Sequence, residues 1–426
     1  MSAPTIGFAG MTHLGLVSAA AAASRGFDIV AFDPDAALAA ALRRGDMPVV
    51  EPGLVELVRG HAGRLHFTSD LTSLSGCAVV YVAVDVPTDG NGHSDLDPVR
   101  SMIGRVTPAL GPESLLVVLS QVPPGFTRAL DMPAPRLYYQ VETLVFGRAI
   151  ERATQPERFI VGAADPRRPL PPAYAGFLQA FACPVLTMRY ESAELAKISI
   201  NCCLVASISV ANMLAEVSEA IGADWGEIMP ALKLDGRIGA HAYLTPGLGI
   251  AGGNLERDLR TILAIAEKEH TDADIVRAWL GNSARRKEWT WWVLRDRVLA
   301  GKPDASITVL GLAYKENTHS TRNSPALALL DHLRGRAVTV HDPVVPASVV
   351  PWAHGAADPL AAASGADALV VATPWPQYRH LRPRDLAQVM AGRVILDPYR
   401  TFDMHDCAAA GLIYHTLGMP PLTGER

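Results

Sequence analysis

The sequence predicts an α/β fold, with two parallel-sheet domains joined by a long central helix. Three observations predict it. Near the N-terminus, the apolar run Thr5 to Ala9 meets a turn at Gly10, an Ala-rich helical stretch from Leu16 to Ser24, and a second apolar run ending at Asp33. The C-terminal third repeats the pattern: Ile307 to Gly311, a helix over Pro325 to Leu333, and Ala337 to Asp342. Between them, Glu191 to Ile221 runs without Gly or Pro and is dense in Ala, Leu, Ile and Ser, as one long helix would be. Strands alternating with helices call for a parallel sheet, because each crossover has to return along one face.

Each element follows in order. Further strand-like runs stand at Ala78–Val84, Ser114–Leu119 and Phe159–Gly162. Thr261–Val298 reads as a second mostly helical region, and Gly301 to Asp304 breaks the chain. Ala368–Thr373 and Val394–Asp397 add two strands to the final segment. The expected domains are 1–190, 191–300 and 301–426.

Composition bounds the function. A chain of 426 residues carries two or three domains at about 150 residues each. With 49% hydrophobic residues and a mean hydropathy of +0.16, it has the material for packed cores, which excludes a disordered chain. Lys and Arg number 38 against 43 Asp and Glu, for a net charge of −5, so no nucleic-acid partner is expected. The opening residues have no basic segment before their apolar run, so no signal peptide is expected. Ile198 to Leu214 is interrupted by Ser and Asn, and a buried helix explains it better than a membrane span. Five cysteines form no CxxC pair or disulfide framework, and a reducing, cytoplasmic setting is expected. No metal site is expected.

The first chemical motif is Gly10-Met-Thr12-His13-Leu14-Gly15, with Asp33 eighteen residues beyond it. In a Rossmann-like dinucleotide site, glycines allow a tight turn and close approach of the pyrophosphate to a helix N-terminus. The later acid bonds the ribose hydroxyls. Asp33 favours NAD over NADP, because a carboxylate repels a 2′-phosphate. Thr12 stands at the second glycine position, where a side chain crowds the pyrophosphate. His13 stands where an aromatic is usual, and packing explains it better than catalysis. The second motif is Lys197 and Asn201, four apart and so on one helix face, placed to hold a substrate oxygen or developing alkoxide. Taken alone, a helix lysine more often simply faces water. The third is Pro246 to Asp258, a glycine-dense loop running into a helix, able to present N–H groups to a phosphate.

Together these blocks resemble the UDP-glucose/GDP-mannose dehydrogenase family across nearly the whole chain. The resemblance rests also on Gly45 to Leu54, Ser120-Gln-Val-Pro-Pro-Gly125, Ala193-Glu-Leu-Ala-Lys197, Arg237-Ile-Gly, Gly311 to Thr318, Arg322-Asn-Ser-Pro325 and Ala372-Thr-Pro-Trp375. It implies an NAD-dependent oxidoreductase, a homodimer built on the long helix, and a nucleotide-sugar substrate bound by the C-terminal domain. The usual reaction takes the sugar C6 alcohol to a carboxylate with two NAD per turnover, in polysaccharide or secondary-metabolite biosynthesis. Carried over residue by residue, it implies cofactor contacts at Gly10, Thr12, His13, Leu14, Gly15, Asp33, Val84, Ser120 and Gln121. It implies catalytic roles for Lys197, Asn201, Asp258 and Glu142. Substrate contacts are implied at Arg237, Tyr243, Gly249, Gly252, Gly253, Lys315 and Arg322, with Arg237 able to reach across the dimer.

The chain departs from the family at the chemistry. The family's loop GxGGxCxxKD carries a nucleophilic Cys, and here Asn254 stands in its place, with Arg257 for the Lys. A thiolate would trap the intermediate aldehyde for a second hydride loss, and an amide nitrogen, its lone pair delocalised, cannot. Phe146 stands for the second Glu of the family's NPEFLRE segment, Gln121 for the Thr of STVPPG, Val86 for the Thr of VPTP, and His319-Ser320 for an acidic pair. Cys202 and Cys203 sit about 100° and 200° around the helix from Asn201 and are expected to be core residues. The basic run Arg285-Arg-Lys287 before Trp289, Trp291 and Trp292 is expected to be a packed helix face, and Asp367 and Asp397 to end strands. These losses point to an alcohol oxidation of two electrons, or to acid formation without a cysteine. A non-catalytic nucleotide- or NAD-binding homologue and a dehydrogenase of some other substrate are the competing readings.

Overall fold

A computed structural model describes residues 3–89 and 94–423. It falls into two compact units, Met1–Ile200 and Asn201–Arg426. The helix Tyr190–Ile221, 32 residues long, contains the junction.

The first unit is built on strands β1 (Ile6–Ala9), β2 (Ile29–Phe32), β3 (Leu65–Thr68), β4 (Val79–Val82), β5 (Leu115–Val118), β6 (Leu137–Gln140), β7 (Phe159–Ala163) and β8 (Val185–Arg189). Their order is β3-β2-β1-β4-β5-β6-β7-β8. The first six strands have the doubly wound order of a dinucleotide-binding sheet. The sheet is not wholly parallel as the sequence suggested. β7 runs antiparallel to β6, and β8 then pairs parallel to β7. The link from β6 to β7 carries the short helix Ala149–Thr154 but does not cross back over the sheet, so the chain re-enters it in the opposite sense. Both faces of the central strands are buried, which is why they read as continuous apolar runs.

The second unit carries β9 (Ile307–Leu310), β10 (Val338–His341), β11 (His354–Gly355), β12 (Ala368–Val371), β13 (Val394–Leu396) and β14 (Ile413–His415). They run in the order β11-β10-β9-β12-β13-β14, all parallel. Gly311 ends β9 at φ +99, as Gly10 ends β1 at φ +98, so the two ends of the sequence fold alike. The region expected to be mostly helical holds helices Asn254–Lys268, Asp274–Lys287 and Trp289–Leu294. The long helix is long and apolar enough to cross a membrane by length and composition alone. Its Val205 packs in a buried cluster with Ile250, Leu259 and Ala266, and its Ala211 and Ala215 in another with Trp225 and Leu244.

The basic run on helix Asp274–Lys287 packs as expected. Arg285 pairs with Glu216, and Arg286, wholly buried, donates to Glu219 Oε1 at 2.9 Å. Glu219 also accepts from Trp289 Nε1 at 3.1 Å and from the Gly418 N–H at 2.9 Å, while the Gly418 carbonyl accepts from the Trp225 N–H at 2.7 Å. One carboxylate on the long helix thus holds helix Asp274–Lys287, the tryptophan segment and the chain's final stretch. Arg286→Ala leaves that carboxylate, 18% exposed, without its cation and opens a cavity where the wholly buried arginine was. It is expected to lower the unfolding free energy by about 3–5 kcal/mol, read as a fall in the urea midpoint, with Arg286→Met less damaging because it refills the volume.

Candidate active site

In the first unit the site begins where β1 turns into helix His13–Ser24. A Cβ on Gly10 would meet Val84 Cγ2 at 2.7 Å, and one on Gly15 would meet the Gly10 carbonyl oxygen at 1.8 Å. The helix therefore starts pressed against the turn, with Leu14 buried beneath it. Val84 is locked by Ser120, whose hydroxyl accepts from the Val84 N–H at 3.0 Å and donates to its carbonyl at 2.7 Å. Gln121 follows, half-buried. Asp33, at the end of β2, accepts from the Met11 N–H at 2.7 Å and the Asp35 N–H at 3.0 Å, which points its carboxylate at the turn. The expected cofactor residues are thus gathered at the carboxyl ends of β1, β2, β4 and β5.

Thr12 and His13 modify this cradle. The Thr12 hydroxyl donates to the Ala83 carbonyl at 3.3 Å and accepts from the Asp85 N–H at 3.1 Å. His13 has the expected packing role. Its ring stacks on Phe146 at 4.2 Å between centroids, and its Nε2 lies 2.9 Å from Glu51 Oε2. Glu51, buried, also accepts from the Gly147 and Ala149 N–H groups at 3.0 and 2.8 Å. Glu51 has no role in the sequence reading. Its signals were its place in the family-like block Gly45 to Leu54 and its position beside the Pro52-Gly53 turn.

Glu142 and Lys197 form a pair in the same unit. Lys197 Nζ lies 3.3 Å from Glu142 Oε2, with side chains 12% and 17% exposed, so this lysine does not simply face water. Glu142 also accepts from the Leu144 N–H. One turn earlier on the helix, Glu194 is fully buried and accepts from the N–H groups of Gly125 and Thr127 at 2.6 and 2.8 Å. It pins the loop after Gln121, and burial raises its carboxyl above the usual range.

The second unit holds the other expected residues. Asn201 Nδ2 donates to Asp258 Oδ2, and Arg257 Nε donates to Asp258 Oδ1 at 3.2 Å; all three are buried. Asn254 is the exposed first residue of helix Asn254–Lys268. The loop before it is sterically fixed: a Cβ on Gly249 would meet the Ser283 carbonyl oxygen at 2.4 Å, on Gly252 the Tyr314 ring at 3.0 Å, and on Gly253 Arg322 Nε at 2.9 Å. Lys315 Nζ lies 5.8 Å from the Tyr314 ring centroid. Gly252, Gly253, Tyr314, Lys315 and Arg322 are thus neighbours. Arg237 and Tyr243 are not held in this way: Arg237 is 90% exposed and paired with Asp235 at 2.6 Å, and Tyr243 is 56% exposed. Sequence reasoning missed Asn323, held at φ +53, which donates to Glu256 Oε2 at 2.8 Å and accepts from Lys287. These three brace the glycine loop, and burial lowers the Lys287 ammonium below its usual range.

Two doubly wound sheets, the first with a glycine turn and an acid at the end of β2 bonded to that turn, define the class: a dinucleotide-binding protein with a second nucleotide-type domain. The UDP-glucose/GDP-mannose dehydrogenase family matches along the chain, its NAD binding domain at residues 4–169, its central domain at 191–282 and its UDP binding domain at 308–404. A UDP-glucose 6-dehydrogenase of Pseudomonas aeruginosa is 31% identical, covering 96% of this chain and 96% of that protein. One from Rhizobium meliloti is also 31% identical, over 96% and 98%. The solved UDP-glucose dehydrogenase of Pyrobaculum islandicum superposes with a TM-score of 0.81 at 29% identity, covering 93% of this chain and 94% of that one. The chain belongs to the UDP-glucose/GDP-mannose dehydrogenase family and carries its NAD-binding domain.

Cys202 lies beside the Asn201–Asp258 pair. Burial first, then the Asp258 charge and Cys203, push its thiol up to about 11. A raised thiol pKa keeps the neutral form through pH 9, and only the thiolate attacks. Iodoacetamide labelling mapped by mass spectrometry is expected to find Cys202 unmodified at pH 7.5 and increasingly alkylated towards pH 11. Rapid labelling at pH 7.5 would contradict the assignment.

Proposed function

We propose that the chain is an NAD-dependent dehydrogenase of a nucleotide sugar, of the UDP-glucose 6-dehydrogenase type, that removes one hydride from an alcohol and stops at the aldehyde. The observation that carries this is Asn254. It begins its helix behind the fixed Gly252-Gly253 turn, at the position the family gives to its nucleophile, and an amide forms no thiohemiacetal. Cys202, on the long helix beside Asp258, is held as a thiol by burial and by the Asp258 charge.

The residues suit the first oxidation. Gly10, Gly15 and Asp33 fit a dinucleotide, the glycines by the tight strand-to-helix turn they permit and Asp33 by its position at that turn. NAD, when bound, accepts the hydride. Lys197 holds the alcohol oxygen, and as the carbon–hydrogen bond breaks, the hydroxyl proton passes to Glu142. Asn201 and Asp258 hold sugar oxygens. Because Asn201 and Arg257 already donate to Asp258, it serves better as a fixed acceptor than as a base that activates water. Gly249, Gly252, Gly253, Lys315 and Arg322 receive the nucleotide and its phosphates, with Arg237 and Tyr243 at the periphery. The expected division into a cofactor domain (1–190), a helical domain (191–300) and a nucleotide-sugar domain (301–426) serves this reading.

A homodimer in the cytoplasm completes it, without nucleic-acid or membrane partners. Val210, Met213, Val217 and Ile221 form an exposed apolar stripe at helical spacing along the long helix, which a second copy would cover. Turnover with NAD and UDP-glucose, reading NADH yield and product mass together, is expected to give one NADH per aldehyde. Asn254→Cys is expected to raise the ratio towards two, with an acid as product. Two NADH and an acid from the unaltered chain would overturn the proposal.

A further inference from the structure

A helix start leaves N–H groups without partners and carries partial positive charge, which is why a dinucleotide's pyrophosphate docks there. At helix His13–Ser24 that position is filled from within. Thr12 stands at the N-cap, but its side chain makes no capping bond, being turned instead to the Ala83 carbonyl and the Asp85 N–H. The cap comes from the loop after β4: Asp85 Oδ2 accepts the His13 N–H at 3.0 Å. We propose that Asp85 is an internal competitor for the cofactor's pyrophosphate, a carboxylate that must leave the helix start before NAD can seat, and that it sets the cofactor's affinity.

Charge and geometry carry the argument. The His13 N–H cannot serve a carboxylate and a phosphate oxygen at once, and the two anions repel at contact distance. Displacement is feasible because Asp85 as a residue reaches the surface, while its carboxylate at the helix start is desolvated enough to be raised above the usual range and gains water by turning away. Thr12 adds to the effect, since its hydroxyl fixes the Asp85 backbone and so keeps the carboxylate beside the helix. The cofactor then binds more weakly and exchanges faster than in a site whose helix start is open.

Calorimetric dissociation constants of the full chain for NAD, ADP-ribose and adenosine test this, with Asp85→Asn and Asp85→Ala. NAD and ADP-ribose are expected to tighten by about tenfold in Asp85→Ala. The gain should be smaller in Asp85→Asn, which keeps an acceptor for the His13 N–H but no charge. Adenosine, which has no phosphate, should bind all three proteins alike. Asp85→Ala should also melt at a lower temperature, because the helix loses its cap, so that tighter binding accompanies lower stability. Unchanged or weaker NAD binding in both variants would overturn the proposal and leave the cofactor assignment standing. An adenosine shift as large as the NAD shift would overturn it as mere loosening. If none of the three proteins binds any of these ligands, the cofactor assignment falls and the proposal falls with it.

Discussion

The contact between Gly15 and the Gly10 carbonyl is the constraint on which the first unit's site depends. No side chain fits there, so the helix starts directly against the turn that ends β1. That contact puts the helix N-terminus at the carboxyl ends of the central strands, beside Asp33 on one side and the Val84–Asp85 loop on the other. It also fixes where His13 emerges, and hence where Glu51 and Phe146 must lie to hold its ring. A methyl group at residue 15 would move all of these at once.

The chemistry follows from which residues can form bonds and which are already committed. Taking an alcohol to an acid needs a nucleophile on the aldehyde, either a side chain or an activated water. Asn254 offers none, and the carboxylate of Asp258 is engaged by Asn201 and Arg257. The Lys197–Glu142 pair asks for no covalent partner and is suited to hold an oxygen and move a proton. On the proposed reading, what the chain keeps serves the loss of one hydride, and what it lacks would serve the second.

Much of this was legible in the sequence because backbone constraints restrict residue type. Gly10, Gly15, Gly252 and Gly253 each stand where a Cβ would strike a neighbour, so their pattern announced both turns. The uninterrupted run from Glu191 to Ile221 likewise gave the long helix nearly to the residue. Short strands with polar members were harder: β3 contains His66, and β8 ends in Arg189 with little of it buried. The antiparallel turn of β7 depends on a connection path that no local pattern encodes. Long-range polar partners were harder still. Asp85 caps a helix 72 residues earlier in the chain, and Arg286 is the one member of its basic run that is wholly buried, on a carboxylate 67 residues away. Such roles depend on what folding brings near, and periodicity carries no record of it.

The measurement that tests the central claim most directly follows deuterium through one turnover. A nucleotide sugar carrying two deuterons at carbon 6 is incubated with NAD, and both products are analysed by mass spectrometry. A single oxidation moves one deuteron to the cofactor and leaves the other on the aldehyde carbon, which is the expected result. A sugar product with no deuterium at carbon 6, and two deuterated cofactor molecules for each one formed, would contradict the account.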